Sequence, residues 1–396
     1  MPLHVAWLRV SDCRTGGRTY TRRVIDQRVP DGFLSVGQPT ARRMARQAVV
    51  RGRTGRTLLV HGPSGSGKER FVDDLLALFF CADADLARRP CNTCRGCRDG
   101  RARSHPDLVI GSPEAWREQR SSGESIVAAA RRWLLGAAGA PVVADRRVVL
   151  VEGADRAGEQ IQNALLKALE EPTDRHAFIL VADEPPGLLP TIRSRCQALR
   201  IGPVARDELA GYLVDVMRLP ADQANALALL SNGFFGTATG FVEKPELLDW
   251  RRRVQKELLA LLELGRADRF GAVRELLDET VRLVPAAPPV GETDEDAPRT
   301  PASTQRAAAI LLVGAWLALT RDLMVAAAGR VELAPSRELD GPGLAASAAR
   351  IGTAPLARMA RLLERIHDGL GENAAPRLAL EAAMLTWPML PPPRDR

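Results

Sequence analysis

Residues 57–80 read TLLVHGPSGSGKERFVDDLLALFF, and the fold turns on how this stretch is read. Thr57 to Val60 is a short apolar run of strand character, and Arg70 to Phe80 repeats apolar residues at helical spacing, with Phe71, Val72, Leu75, Leu76 and Phe79 on one face. Between them lie Gly62, Pro63, Ser64, Gly65, Ser66, Gly67, Lys68 and Glu69. Strand, glycine loop and helix in this order make a phosphate-binding P-loop: the glycines let backbone N–H groups turn inward, Lys68 reaches terminal phosphates, and the helix start adds its positive dipole end. Position 69 breaks the pattern. A P-loop continues from Lys to Ser or Thr, whose hydroxyl ligates Mg²⁺, and here the residue is Glu.

The elements that follow alternate strand and helix. Leu108 to Ile110, the run RRVVLVEG ending at Gly153, AFILVAD ending at Asp183 and a short strand after Cys196 read as strands. Segments Ser125 to Leu135 and Ala157 to Glu171 read as helices, the second stopped by Pro172. A parallel α/β sheet with helices on both faces is expected over residues 33–202. The strand before Gly153 ends where a P-loop ATPase carries two carboxylates, one for Mg²⁺ and one to polarise water. Here that pair is Glu152 and Gly153, so the second carboxylate is missing.

Four of the six cysteines, Cys81, Cys91, Cys94 and Cys97, fall directly after the P-loop helix in the spacing C-x9-C-x2-C-x2-C. Three thiolates from CNTCRGC and a fourth from Cys81 fill a tetrahedron, the ligand set of a structural Zn²⁺ site with no open position. An unliganded cysteine-rich loop and a [4Fe–4S] cluster are the alternatives, the cluster disfavoured because nothing else suggests redox chemistry. His105, beside Pro106 and Asp107, is read as a turn residue outside the metal set. Cys13 and Cys196 are expected as free thiols.

The 396 residues allow two or three domains, and 45% hydrophobic residues with few aromatics suit a helix-rich protein. Net charge is +7, but residues 1–56 hold twelve Arg and three Asp, so the basic balance belongs to the N-terminal stretch and the remainder is slightly acidic. No basic surface for nucleic acid is implied across the body. Residues 1–32 read as a flexible basic extension without a secretory signal. Ala307 to Leu319, the longest apolar candidate, is too short for a membrane span and reads as a buried helix, so a cytoplasmic protein is expected. Beyond Pro203 strand signals cease: helices at Asp207 to Val216 and Asp222 to Ser231 suggest a small helical domain at 203–247. A second helical domain is expected at 248–396, interrupted by a Pro- and acid-rich loop at 284–303.

With these pieces in place the chain resembles, over about residues 33–385, the clamp-loader subunits of bacterial DNA polymerase III, members of the AAA+ family. The resemblance rests on the cysteine module behind the P-loop helix, QNALLKALEEP at 162–172, LPTIRSRCQ at 189–197 and NAAPRLALEAAML at 373–385. It implies an AAA+ domain with an inserted zinc module at 81–97, a helical lid at 203–247 and an all-α collar at 248–396. It also implies two competing roles. Motor subunits, tau or gamma, keep a complete ATPase site; delta prime keeps the fold, the zinc module and the SRC tripeptide with decayed nucleotide motifs. Glu69, the Glu152–Gly153 pair, and Ala182–Asp183 in place of a hydroxyl-bearing sensor all depart from the motor pattern and favour delta prime. The resemblance then implies a stator without turnover of its own, whose Arg195 acts as an arginine finger in trans on a motor subunit. Tau or gamma, delta, the sliding clamp and primed DNA are the implied partners, and no membrane. The surviving glycines and Lys68 leave ATP binding without hydrolysis open. Two other readings stand beside it: an unrelated P-loop ATPase or nucleotide kinase using Glu69 as an unusual Mg²⁺ ligand, and a zinc-containing DNA-binding module, weakened by few aromatics and no recognition-helix pattern.

Overall fold

In the computed structural model, described over residues 32–50, 57–170, 175–284, 301–371 and 374–389, five strands form one parallel sheet. The expected basic extension (all but residue 32), most of the 284–303 loop, Cys13 and Pro172 lie outside those residues. The strands are β1 (Thr57–His61), β2 (Leu108–Gly111), β3 (Arg147–Val151), β4 (His176–Ala182) and β5 (Cys196–Arg200). Their order is β2-β3-β4-β1-β5. Strand β4 is buried along its whole length, as a central parallel strand must be.

Alternate residues of each strand serve opposite faces. Leu58, Val60, Val148, Leu150, Ile179 and Val181 pack under α1 (Pro39–Val50) and α2 (Lys68–Phe80). Leu59, Val149, Val151, Phe178 and Leu180 pack with residues of α4 (Pro113–Glu118), α5 (Ile126–Ala137), α6 (Glu159–Glu170) and α7 (Pro190–Arg195). Ser112 and Ser125 each cap their helix by accepting a backbone N–H three residues on. The short helix α3 (Arg95–Arg101) belongs to the cysteine module and lies along α2.

The structure corrects several local expectations. Helix α2 starts at Lys68, not Arg70, and is buried on nearly every side: Asp73 and Asp74 are fully buried, whereas Phe79 is only partly so. The sheet covers one side of α2 and the cysteine module covers another. The polar stretch before Ser122 contains α4, whose Trp116 is buried against the second face. Arg193 and Arg195 sit on the short helix α7, directly before β5.

After β5 a separate apolar cluster is built by α8 (Arg206–Asp215), α9 (Ala221–Leu230) and α10 (Phe235–Glu243). Sequence periodicity missed α10 because FGTATGFVE carries few large apolar residues and two glycines. The last cluster is all helical: α11 (Pro245–Ala260), α12 (Arg266–Leu283), α13 (Pro301–Ala327), α14 (Arg337–Ile351), α15 (Thr353–Gly371) and α16 (Pro376–Thr386). Helix α13 contains the apolar run Ala307 to Leu319 and extends beyond it at both ends. Its span Ala302–Ala327 is long and apolar enough to cross a membrane, but half of that window is buried, and Leu312, Val313, Trp316 and Leu323 form the centre of the bundle.

Candidate functional site

Parallel strands bring their carboxyl ends to one edge, and three candidate groups meet there. The P-loop leaves β1, Glu152 follows β3 and Asp183 follows β4. Register fixes the meeting: His61 lies opposite Ala182, and the Gly62 N–H donates to the Ala182 carbonyl at 3.3 Å. Crevices form at such edges between neighbouring strands whose outgoing crossovers run in opposite directions, as those of β1 and β4 do. The loop has the expected glycine geometry, Gly65 at φ 76° and Gly67 at φ 94°, the latter opening α2.

Lys68, 7% exposed, does not face open solvent. Its ammonium donates to the carbonyls of Gly62 (2.6 Å) and Pro63 (2.9 Å) and pairs with Asp183 Oδ1 at 2.6 Å. Glu152 is also paired, its Oε1 accepting from Arg103 Nη1 at 2.7 Å while Arg103 Nε donates to Asp73 Oδ1 at 2.8 Å. Burial alone would lower the Arg103 pKa, but the facing charges of Asp73 and Glu152 raise it. The Ser66 N–H is used by the Pro63 carbonyl at 3.1 Å. The loop keeps the glycine conformations of a phosphate cradle, while Lys68 and Glu152 at this edge are each paired within the chain.

Two residues that sequence reasoning missed organise this edge. Asp155, in the turn after β3, accepts the backbone N–H groups of Asp183 (2.9 Å) and Glu184 (2.8 Å) and so fixes the segment that carries Asp183. Arg103 is the other, reaching the site from the end of the cysteine module. The only signal for either was a charged residue beside a strand end, which is too common to single out.

The four predicted metal ligands come together. The sulfurs of Cys81, Cys91, Cys94 and Cys97 all lie within 4.8 Å of one another, and Cys91 and Cys97 are 4.0 Å apart. A tetrahedral ion with bonds of about 2.3 Å would hold its sulfurs roughly 3.8 Å apart, so the four fit one with small adjustment. Backbone N–H groups point at the sulfurs: Cys91 to Cys81 at 3.3 Å, Cys97 to Cys94 at 3.4 Å and Ala82 to Cys94 at 3.5 Å. Desolvation acts to raise Cys91, but hydrogen bonds led by Thr93 bring it down to about 6, whereas burial pushes Cys81 and Cys97 up. Helix α3 is laid close on α2 at Gly96, where any Cβ would run into the Phe80 carbonyl. His105 stacks on Phe80 with centroids 3.8 Å apart and accepts the Asp107 N–H at Nδ1 (3.1 Å), outside the sulfur set.

Arg195 lies elsewhere. It ends α7, and Cys196, next in chain, pairs with Thr57 at the amino end of β1. Four strand steps of roughly 3.3 Å therefore separate it, by about 13 Å at least, from the edge that holds its own P-loop. Its guanidinium pairs with Glu170 Oε1 at 2.8 Å and donates to the Thr191 carbonyl at 3.0 Å, and the side chain is 39% exposed. Cys196 is partly buried, and desolvation pushes its thiol up to about 12.

Residues 37–205 match the family model described as DNA polymerase III, delta subunit. DNA polymerase III subunit delta' of Pseudomonas aeruginosa is 34% identical over 180 residues, covering 44% of this chain and 52% of that protein. DNA polymerase III subunit gamma/tau of Mycobacterium bovis is 31% identical over 384 residues, covering 89% of this chain and 60% of that protein. A solved DNA polymerase III gamma subunit-related protein from Thermotoga maritima superposes loosely, with a TM-score of 0.38 at 15% identity over 87% of this chain and 97% of the other. The chain spans a little over half the length of the delta' relatives it matches. Its α/β region, with the cysteine module that interrupts it, belongs to the delta prime family of DNA polymerase III subunits.

Proposed function

We propose that this chain is the delta prime stator of a bacterial clamp loader, which supplies Arg195 to a neighbouring motor subunit and turns over no ATP itself. The observation that carries it is the placement of Arg195 at the edge of the sheet away from its own P-loop. From there it serves a site only on another chain. In that role Arg195 leaves Glu170 and the Thr191 carbonyl, and its guanidinium meets the γ-phosphate held by the neighbour. Negative charge spread over the transferring phosphoryl group is then matched by a planar, permanently charged fork.

The remaining assignments follow the same reading. Residues 33–202 form the AAA+ domain, 203–247 the lid and 248–396 the collar that joins tau or gamma and delta in the cytoplasmic assembly that loads the sliding clamp on primed DNA. Four thiolates with no open position suit Zn²⁺ in a structural role. The metal would fix Cys81 at the end of α2 to the loop and α3 that carry the other three ligands.

A motor reading is favoured by one observation, the gamma/tau similarity along 89% of the chain. The two readings separate in a reconstituted complex. Under the stator reading, Arg195→Ala leaves assembly intact and lowers DNA-stimulated ATPase and clamp loading; a finger supplied in trans is worth about 10³–10⁵ in rate at the one site it serves. Arg195→Lys rescues poorly, because a point charge lacks the guanidinium fork. Full activity with Arg195→Ala at equal assembly would overturn the finger. ATP turnover by the isolated chain, lost in Lys68→Ala, would replace the stator with a motor.

A further inference from the structure

The three hydrogens of the Lys68 ammonium have three acceptors, all from this chain: the Gly62 and Pro63 carbonyls and the Asp183 carboxylate. In a working P-loop the lysine saves part of this capacity for the terminal phosphates of a nucleotide. Here an acidic side chain stands in their place. Its position is built in, not a chance surface contact. Register places Asp183 beside Gly62, and Asp155 clamps the backbone on either side of it through the Asp183 and Glu184 N–H groups.

The lid closes over the same loop. The Thr237 N–H donates to the Gly65 carbonyl at 3.1 Å. Gly236 sits so close that a Cβ there would stand 2.9 Å from that carbonyl oxygen, and Phe235 is packed against Gly67 with equal tightness. Tyr212 supports Phe235 edge-on at 5.0 Å. On the far side, Arg103 supplies the cation for Glu152 where a metal ion would otherwise serve.

We infer that Asp183 is the resident anion of this P-loop: its carboxylate takes the station of a nucleotide's terminal phosphate and keeps nucleotide out. An entering triphosphate has to detach Asp183 from Lys68 and then lie beside the displaced carboxylate, a like charge close to its own. A neutral side chain of the same shape removes both obstacles. The proposal concerns the chain's own loop and stands apart from the role of Arg195, which lies at the other edge of the sheet.

The test uses the full chain alone and a fluorescent N-methylanthraniloyl ATP, titrated with and without Mg²⁺. Asp183 is half exposed, so Asp183→Asn is expected to keep the fold, checked by circular dichroism and metal content. The variant should bind the probe at least ~10-fold more tightly than the parent. Adding Lys68→Ala to Asp183→Asn should abolish that gain, since the freed ammonium is what the phosphate recruits. Equal binding by parent and Asp183→Asn, or no binding by either, would overturn the assignment. A gain that survives Lys68→Ala would overturn it as well. Because the assay reads only the isolated chain, its failure leaves the stator reading standing, and a failed Arg195 reconstitution leaves this one standing.

Discussion

Asp73, Asp74 and Asp107 are wholly removed from solvent, and each is stabilised by donors that come from far along the chain. Asp74 accepts the backbone N–H groups of Leu34 (2.9 Å) and Ser35 (2.6 Å) and pairs with Arg101; Asp73 pairs with Arg103. A helical wheel of α2 would put the two acids on the wet side, because nothing local reveals that residues 81–103 fold back over it. Arg103→Ala breaks a buried ion pair and should cost about 3–5 kcal/mol in urea unfolding. The Asp107 case is one of pH. Burial acts to raise its carboxyl, but N–H groups of Ala144, Val142 and Val143 hold it below the usual carboxylate range. A depressed carboxylate contributes stability that is complete above its unfolded pKa and lost as pH falls through its folded one. Asp107→Asn should therefore cost roughly 2 kcal/mol at pH 7, with the gap to the parent narrowing below about pH 4. A gap that stays constant on acidification would contradict it.

At the scale of elements, the P-loop strand and helix, the cysteine cluster and the alternation of the sheet were legible because each has a period or a spacing that few other structures share. Helix α7 was not. Pro190 and the short TIRSR stretch give no apolar period over six residues, so its path is set by Ile192 and Leu188 entering the core beneath α6. One consequence is that Arg193 and Arg195, two residues apart on a helix, point roughly 200° apart. Arg193→Ala should leave complex ATPase nearly unchanged for that reason. The cysteine module gives a further prediction. Metal analysis of protein purified without added metal should find about one Zn²⁺ per chain, absent in Cys94→Ser. Chelation should lower the melting temperature by several degrees, since even a few kcal/mol lost would register at this chain length. Loss of metal without any fall in melting temperature would show that α3 is held on α2 by packing alone.

For the molecule as a whole, the purely helical character of the clusters after β5 was foreshadowed by the loss of strand signals beyond Pro203. How the parts join was not. The clusters of α8–α10 and α11–α16 meet through Arg321 Nη2 and Asn232 Oδ1 at 3.2 Å and through Arg251 lying over the Phe241 ring, contacts between residues that no local pattern relates. Helix α13 is apolar over much of its length because it packs inside the bundle, and composition alone does not separate such a helix from a membrane span. The isolated chain should show no ATP turnover above background, with Lys68→Ala indistinguishable from the parent in a coupled phosphate-release assay.

The placement of Arg195 and the P-loop at opposite ends of one sheet gives the subunit a polarity. In a head-to-tail array each chain receives a finger at one edge and extends its own at the other. A chain whose receiving edge is filled by Asp183 and Arg103 has lost one of those directions. Under the proposed stator role it would extend a finger without receiving one, and a series of motors beginning with it would have a fixed first member. If the stator proposal holds, these two internal ion pairs would mark the end of the series at which no finger is received.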